Sequence, residues 1–80
     1  MEKRRAQRYR ALKGARIVFN GGFSTIECVV RNLSSTGACL QVENAVGIPR
    51  VFDLILNGTK EPWPCQTKWQ KRKLIGVEFR

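Results

Sequence analysis

A small six-stranded antiparallel β-barrel with a basic N-terminal arm is the fold class this sequence predicts. Three observations predict it. Short runs of alternating or β-branched residues recur along the chain, six in all; turn-forming clusters of Asn, Gly and Pro separate them; and 80 residues suffice for one domain only. The expected division is an arm over residues 1–15 and a barrel over residues 16–80. A chain this short buries only ~60–65% of its unfolded surface. With 42% hydrophobic residues it is still expected to fold without a metal or a disulfide.

Taken in order, Arg16 to Phe19 reads as a strand and Asn20-Gly21-Gly22 as its hairpin turn. Thr25 to Arg31 follows, with Ile26, Cys28 and Val30 on one face and Glu27, Val29 and Arg31 on the other. A polar loop, Asn32-Leu33-Ser34-Ser35-Thr36-Gly37, interrupts. Ala38 to Val42 resumes, with Ala38, Leu40 and Val42 on one side. Residues 43–50, containing Gly47 and Pro49, read as a loop, and Phe52 to Leu56 as a strand closed by Asn57-Gly58. Pro62 and Pro64 bracket Trp63 in a connection. Cys65, Thr67 and Trp69 then alternate with Gln66, Lys68 and Gln70. A turn over Gln70 to Lys73 leads into Leu74 to Phe79, where Ile75, Val77 and Phe79 share a face.

The arm carries most of the charge. Residues 1–16 hold seven basic groups against Glu2, a net of +6, and residues 17–80 hold eight basic and five acidic groups, a net of +3. Anion binding is therefore expected mainly at the arm. Glu2 to Lys13 has good helix propensity and Gly14 suits a helix cap, yet like charges four apart such as Arg4 and Arg8 repel in an isolated helix. We read the segment as a mobile arm that orders on binding an anion. Cys28, Cys39 and Cys65 lie in apolar, strand-like surroundings, with no Cys-x-x-Cys and no histidine. They read as reduced, packed thiols, which suggests a cytoplasmic protein with no metal site and no cofactor. No apolar run approaches a signal-peptide core or a membrane span, so no membrane insertion is expected.

Two short patterns carry chemistry. Arginine presents a rigid planar fork that pairs bidentately with phosphate or with O6 and N7 of guanine, and stacks on purines. Arg4 and Arg8, on one side of an arm, suit a compact dianion; a solubilising tail or a non-specific polyanion binder would look the same. In the polar loop, Asn32 offers an amide, Ser34 a hydroxyl, and Gly37 the freedom to take a positive φ. An ordinary turn would also look like this. As a pair, the patterns point to a small, anionic, guanine-bearing ligand.

Arg4-x-x-x-Arg8 and Asn32-x-Ser34-x-x-Gly37, at this separation on a six-stranded β pattern, resemble the RxxxR and (D/N)xSxxG motifs of the PilZ domain. That family is a bacterial receptor module for cyclic di-GMP. The resemblance extends through Cys65 to Trp69 and the closing Ile75-Gly76-Val77-Glu78-Phe79, nearly the whole chain. It implies that Arg4 and Arg8, with Arg5 as a third contact, bind phosphates and guanine bases. It further implies that Asn32 bonds a guanine Watson–Crick edge, that Ser34 reaches a phosphate or base, and that Gly37 lets the backbone approach the ligand. Trp69 matches an aromatic position that touches ligand in some members; otherwise it is a barrel-surface or core tryptophan. Many members have Asp where this chain has Asn32, and an uncharged amide implies weaker guanine binding. Members often end in a helix packed on the barrel, where this chain ends at Arg80, so closure of that mouth by the arm or by a second copy is expected.

The leading expectation is a cyclic di-GMP receptor or adaptor whose arm and surface change on binding to regulate a downstream protein partner, as a monomer or weak dimer. The alternatives are a small barrel that binds single-stranded nucleic acid and an interaction module of the same family that does not bind the nucleotide. Nucleic acid is the less expected partner, because the basic residues do not alternate with strand aromatics. An enzyme is not expected, since there is no histidine, no placed carboxylate pair and no activated nucleophile.

Overall fold

The computed structural model describes residues 9–80, and for residues 9–11 the backbone alone. Its six strands are β1 (Tyr9–Phe19), β2 (Ser24–Leu33), β3 (Gly37–Gln41), β4 (Val51–Leu56), β5 (Trp63–Gln70) and β6 (Leu74–Phe79). They close into a barrel in the order β1-β2-β3-β6-β5-β4, with every pairing antiparallel. The expected architecture is the observed one. Closure pairs both sides of β1 over Ala15–Val18, while residues 9–14 extend beyond β4 and pair with β2 alone.

The interior is filled from alternate positions of each strand. Ile17, Val30, Leu40, Leu54 and Ile75 are fully enclosed, with Ala15, Phe52 and Val77 close to it. Expected faces hold in β2, where Cys28 and Val30 are buried and Glu27, Val29 and Arg31 are exposed. The hairpin turn at Asn20–Gly22 needs left-handed backbone at three successive residues, with φ of 58°, 65° and 93°. Asn and Gly are the residues that take it at least cost.

Strand directions give the barrel two ends. At one lie the Asn20–Gly22 turn, the 42–50 connection and the 71–73 turn. Here the loop read from sequence as surface is partly core. Ala45 and Ile48 are buried, and the Val42 and Ala45 amides donate to the Lys73 and Arg72 carbonyls at 2.9 and 2.8 Å. The loop thus plugs the barrel. At the other end Leu33, Leu56 and Phe79 close over the core, and Trp63 packs on Phe79 with ring centroids 4.8 Å apart.

Several expected boundaries shift. The first strand begins at Tyr9, not Arg16, so residues 9–13 are strand and Gly14 lies inside β1 instead of capping a helix. Pairing with β2 wins over helix propensity. A side-chain carbon at Gly14 would lie 2.5 Å from Nδ2 of the exposed Asn57 side chain, whose end can move aside, and the Asn57 backbone amide donates to the Gly14 carbonyl at 3.0 Å. Asn32 and Leu33 belong to β2 and not to the polar loop, and Trp63 and Pro64 belong to β5 and not to the connection. Arg4, Arg5 and Arg8, with residues 1–8 of the expected arm, lie outside the described residues, whereas residues 9–15 of that arm are strand.

Candidate functional site

One lateral row of residues crosses five strands of the barrel. Arg10 pairs with Asn32, Asn32 with Cys39, Cys39 with Gly76, and Gly76 with Trp69. Leu33 packs on the core, and Ala38 and Leu40 are enclosed, so alternation turns their neighbours Asn32 and Cys39 away from the core, Asn32 half-buried and Cys39 still covered. The three register shifts found among the described residues all abut this row. They fall between Arg10 and Lys13, between Val30 and Asn32, and between Thr67 and Trp69. Bulges re-aim side chains and deepen local twist, and they gather beside functional surfaces. Leu12, inside the first shift, holds a φ of 46°, a conformation that leucine rarely takes.

The third shift decides the face of Trp69, which the sequence left open between ligand contact, barrel surface and core. Cys65 and Thr67 point inward at 0% and 5% exposure, but the extra residue Lys68 turns Trp69 outward at 44%. The indole then lies on the β6 backbone at Gly76. A side-chain carbon at position 76 would overlap Trp69 Nε1 and Cε2 and stand 2.7 Å from Cζ2. Gly76 is thus the seat of Trp69, and sequence reasoning missed it. The available signal was a glycine in the middle of an apolar strand, which marks close approach of another group. Beside the indole is a shallow depression lined by Arg50, Thr67, Lys68 and Gln70. An exposed aromatic face next to two cations suits a planar, anionic guest.

At the margin of the row sits the 34–36 turn, built around one hydroxyl. Ser34 is buried, and its Oγ accepts from the Thr36 and Gly37 amides at 3.2 and 3.1 Å and donates to the Gly37 carbonyl at 3.2 Å. The Ser34 amide also donates to the Gly37 carbonyl at 2.9 Å, and Thr36 Oγ1 stands 3.3 Å away. In this geometry the hydroxyl faces into the turn and holds its shape. Gly37 does not take the positive φ expected of it. Its constraint is steric: a side-chain carbon would run into the Val77 carbonyl, with Val77 C at 3.2 Å. The motif's serine and glycine therefore set how tightly the turn is pressed against β6, where the Phe79 amide donates to the Thr36 carbonyl at 2.8 Å.

The structure brings Asn32, the Ser34 turn, Gly37 and Trp69 onto one region of the barrel, together with Cys39 and Gly76. Near it Arg31 Nη1 donates to Gln41 Oε1 at 2.6 Å. Burial pushes the Cys28 thiol up to about 12; Cys65 reaches about 12 through burial first, then the charges of Asp53 and Cys28. Cys65 Sγ donates to the Trp63 carbonyl at 3.2 Å. All three cysteines are free and buried. Among the described residues no cluster of His, Cys, Asp and Glu could hold a metal ion. No helix there is long and apolar enough to cross a membrane.

The chain folds as a closed six-stranded antiparallel barrel with an outward-turned aromatic, a pinned polar turn and flanking cations on one region. Its sequence matches the PilZ domain over residues 2–80, and the chain belongs to that family. None of the curated proteins matches it significantly.

Proposed function

We propose that this chain is a cyclic di-GMP receptor that passes nucleotide binding to a partner protein. Membership in the PilZ family supports the ligand class. The observation that carries the reading is the convergence of all three register shifts on the row from Arg10 to Trp69. Asn32 would present its amide to a guanine edge, and the indole of Trp69 would offer a face to a base. Tyr9 pairs with Leu33, so the chain enters β1 beside the Asn32–Gly37 motif. Arg4 and Arg8, with Arg5, would supply the guanidinium groups for the phosphates and guanine Hoogsteen edges. Ser34 and Gly37 act by fixing the turn that borders the ligand. Neutralising the arm's charge by the bound dianion would change the surface offered to the partner.

Calorimetric titration with cyclic di-GMP, with GTP and cyclic di-AMP as controls, tests this reading. Saturable binding is expected only for cyclic di-GMP. Arg4→Ala and Arg8→Ala should each weaken it ~10–100-fold, as loss of a bidentate charged contact does, and Asn32→Ala about tenfold. If all three variants bind as tightly as the parent, the site assignment is wrong.

A further inference from the structure

The hairpin end of the barrel carries exposed apolar and basic residues that the nucleotide site does not use. At the hairpin end, apart from Arg50 beside Trp69, the connections carry Lys71, Arg72 and Lys73 against Glu43, a net of +2. At the opposite end, the connections over residues 34–36 and 57–62 carry Lys60 against Glu61, a net of zero, and the basic groups there come from the chain termini, where the chain enters β1 and where Arg80 follows β6. The two most exposed large hydrophobics among the described residues, Phe23 at 91% and Val46 at 78%, also belong to the hairpin end. These features adjoin one another. Ala45, next to Val46, donates its amide to the Arg72 carbonyl, and the Asn20–Gly22 turn shares a depression with Val51, the neighbour of Arg50.

We infer that the hairpin end is a peripheral docking surface for an anionic lipid bilayer. Apolar residues at the tips of separate connections, ringed by exposed cations, let side chains enter the acyl boundary while the ammonium and guanidinium groups meet anionic headgroups. The protein lies on the membrane and does not span it. A peptide partner would call for a groove, whereas these apolar residues project from tips. Single-stranded nucleic acid would call for a platform of aromatics, and Phe23 is the sole aromatic on these connections. Gly21 and Gly22 hold the hairpin turn next to Phe23, and nothing lies within 4 Å of a side chain built at Gly22. The tip therefore has room to approach a surface.

Vesicle flotation tests the inference with the full chain, using phosphatidylglycerol-containing and pure phosphatidylcholine vesicles and a single-stranded oligonucleotide as competitor. Binding is expected only to the anionic vesicles and should weaken as salt rises. Phe23→Ser and Val46→Ser, at exposed positions that leave the fold intact, should each lower partitioning roughly tenfold. Replacing Lys71, Arg72 and Lys73 by Gln should lower it on the order of 100-fold. The basic arm is controlled for by replacing Arg4, Arg5 and Arg8 with Gln; that variant should still bind and still depend on Phe23. Three results would each overturn the inference: no binding to anionic vesicles, binding indifferent to Phe23 and Val46 but lost with the arm arginines, or an oligonucleotide bound in preference to the vesicles.

Discussion

Gly76→Ala isolates the packing of Trp69 from everything else in the site. The new methyl would overlap the indole, with Trp69 Cζ2 at 2.7 Å where ordinary contact begins near 3.4 Å. Backbone at 76 is held by pairing to Cys39 on one side and Trp69 on the other, so the ring and not the strand must move. A fully buried tryptophan hides up to ~250 Å², and Trp69 is just over half covered, its exposure being 44%. Complete loss of that cover, ~140 Å² at ~25 cal/mol per Å², would cost ~3.5 kcal/mol as an upper limit. A ring that lifts only partly gives about 1–2 kcal/mol, a fall in Tm of roughly 4–16 °C for a domain of this size. Thermal unfolding followed by circular dichroism reads this directly. The decisive comparison is a cycle with Trp69→Ala: once the indole is gone, Gly76→Ala should cost under ~0.5 kcal/mol. An equal cost with and without the indole would refute the reasoning, because the clash would then lie elsewhere. In the parent background the same variant should also weaken cyclic di-GMP binding, by displacing the proposed stacking face.

Gly37→Ala should be the more damaging glycine change, at about 2–4 kcal/mol by chemical denaturation, because its methyl meets the Val77 backbone and no flexible side chain can yield. Ser34→Ala should cost about 1–3 kcal/mol in the same assay, since the Thr36 and Gly37 amides lose their shared acceptor. The thiols of Cys28 and Cys65, both raised from 9.0 to about 12, stay protonated in the fold at pH values where they ionise in the unfolded chain. Their contribution is complete below pH 9 and is lost as pH rises towards 12, so Tm should fall over that window, and less steeply in a Cys28→Ala/Cys65→Ala variant. Alkylation of these two thiols at pH 8 should proceed only as fast as the barrel opens.

How much of this was legible in the sequence differs from element to element. The β2 and β6 faces were, because a strand with one wet and one dry side writes its period into the chain, as Glu27-Cys28-Val29-Val30-Arg31 does. The hairpin at Asn20-Gly21-Gly22 was legible for a local reason too, since left-handed backbone selects Asn and Gly. Trp69 was not. The sequence left it open between ligand contact, barrel surface and core, and only the extra residue in register with β6 turns it out. The plug formed by Ala45 and Ile48 was hidden in the same way, since a loop becomes core only when a neighbouring turn accepts its amides.

By itself, then, the sequence determined the class of barrel, its strand count, the main inward faces and the two motifs that mark the family. Those are properties of local periodicity and of turn chemistry, which a few consecutive residues encode. Tertiary structure alone decided which residues share a surface: that Asn32, Cys39, Gly76 and Trp69 form one row, that Gly37 and Gly76 are small because of what lies across from them, and that Ser34 pins its own turn. Each depends on the register between strands distant in the chain, and a shift of one residue moves a side chain to the opposite face. Register is set by closing the whole barrel at once, and no single strand contains it.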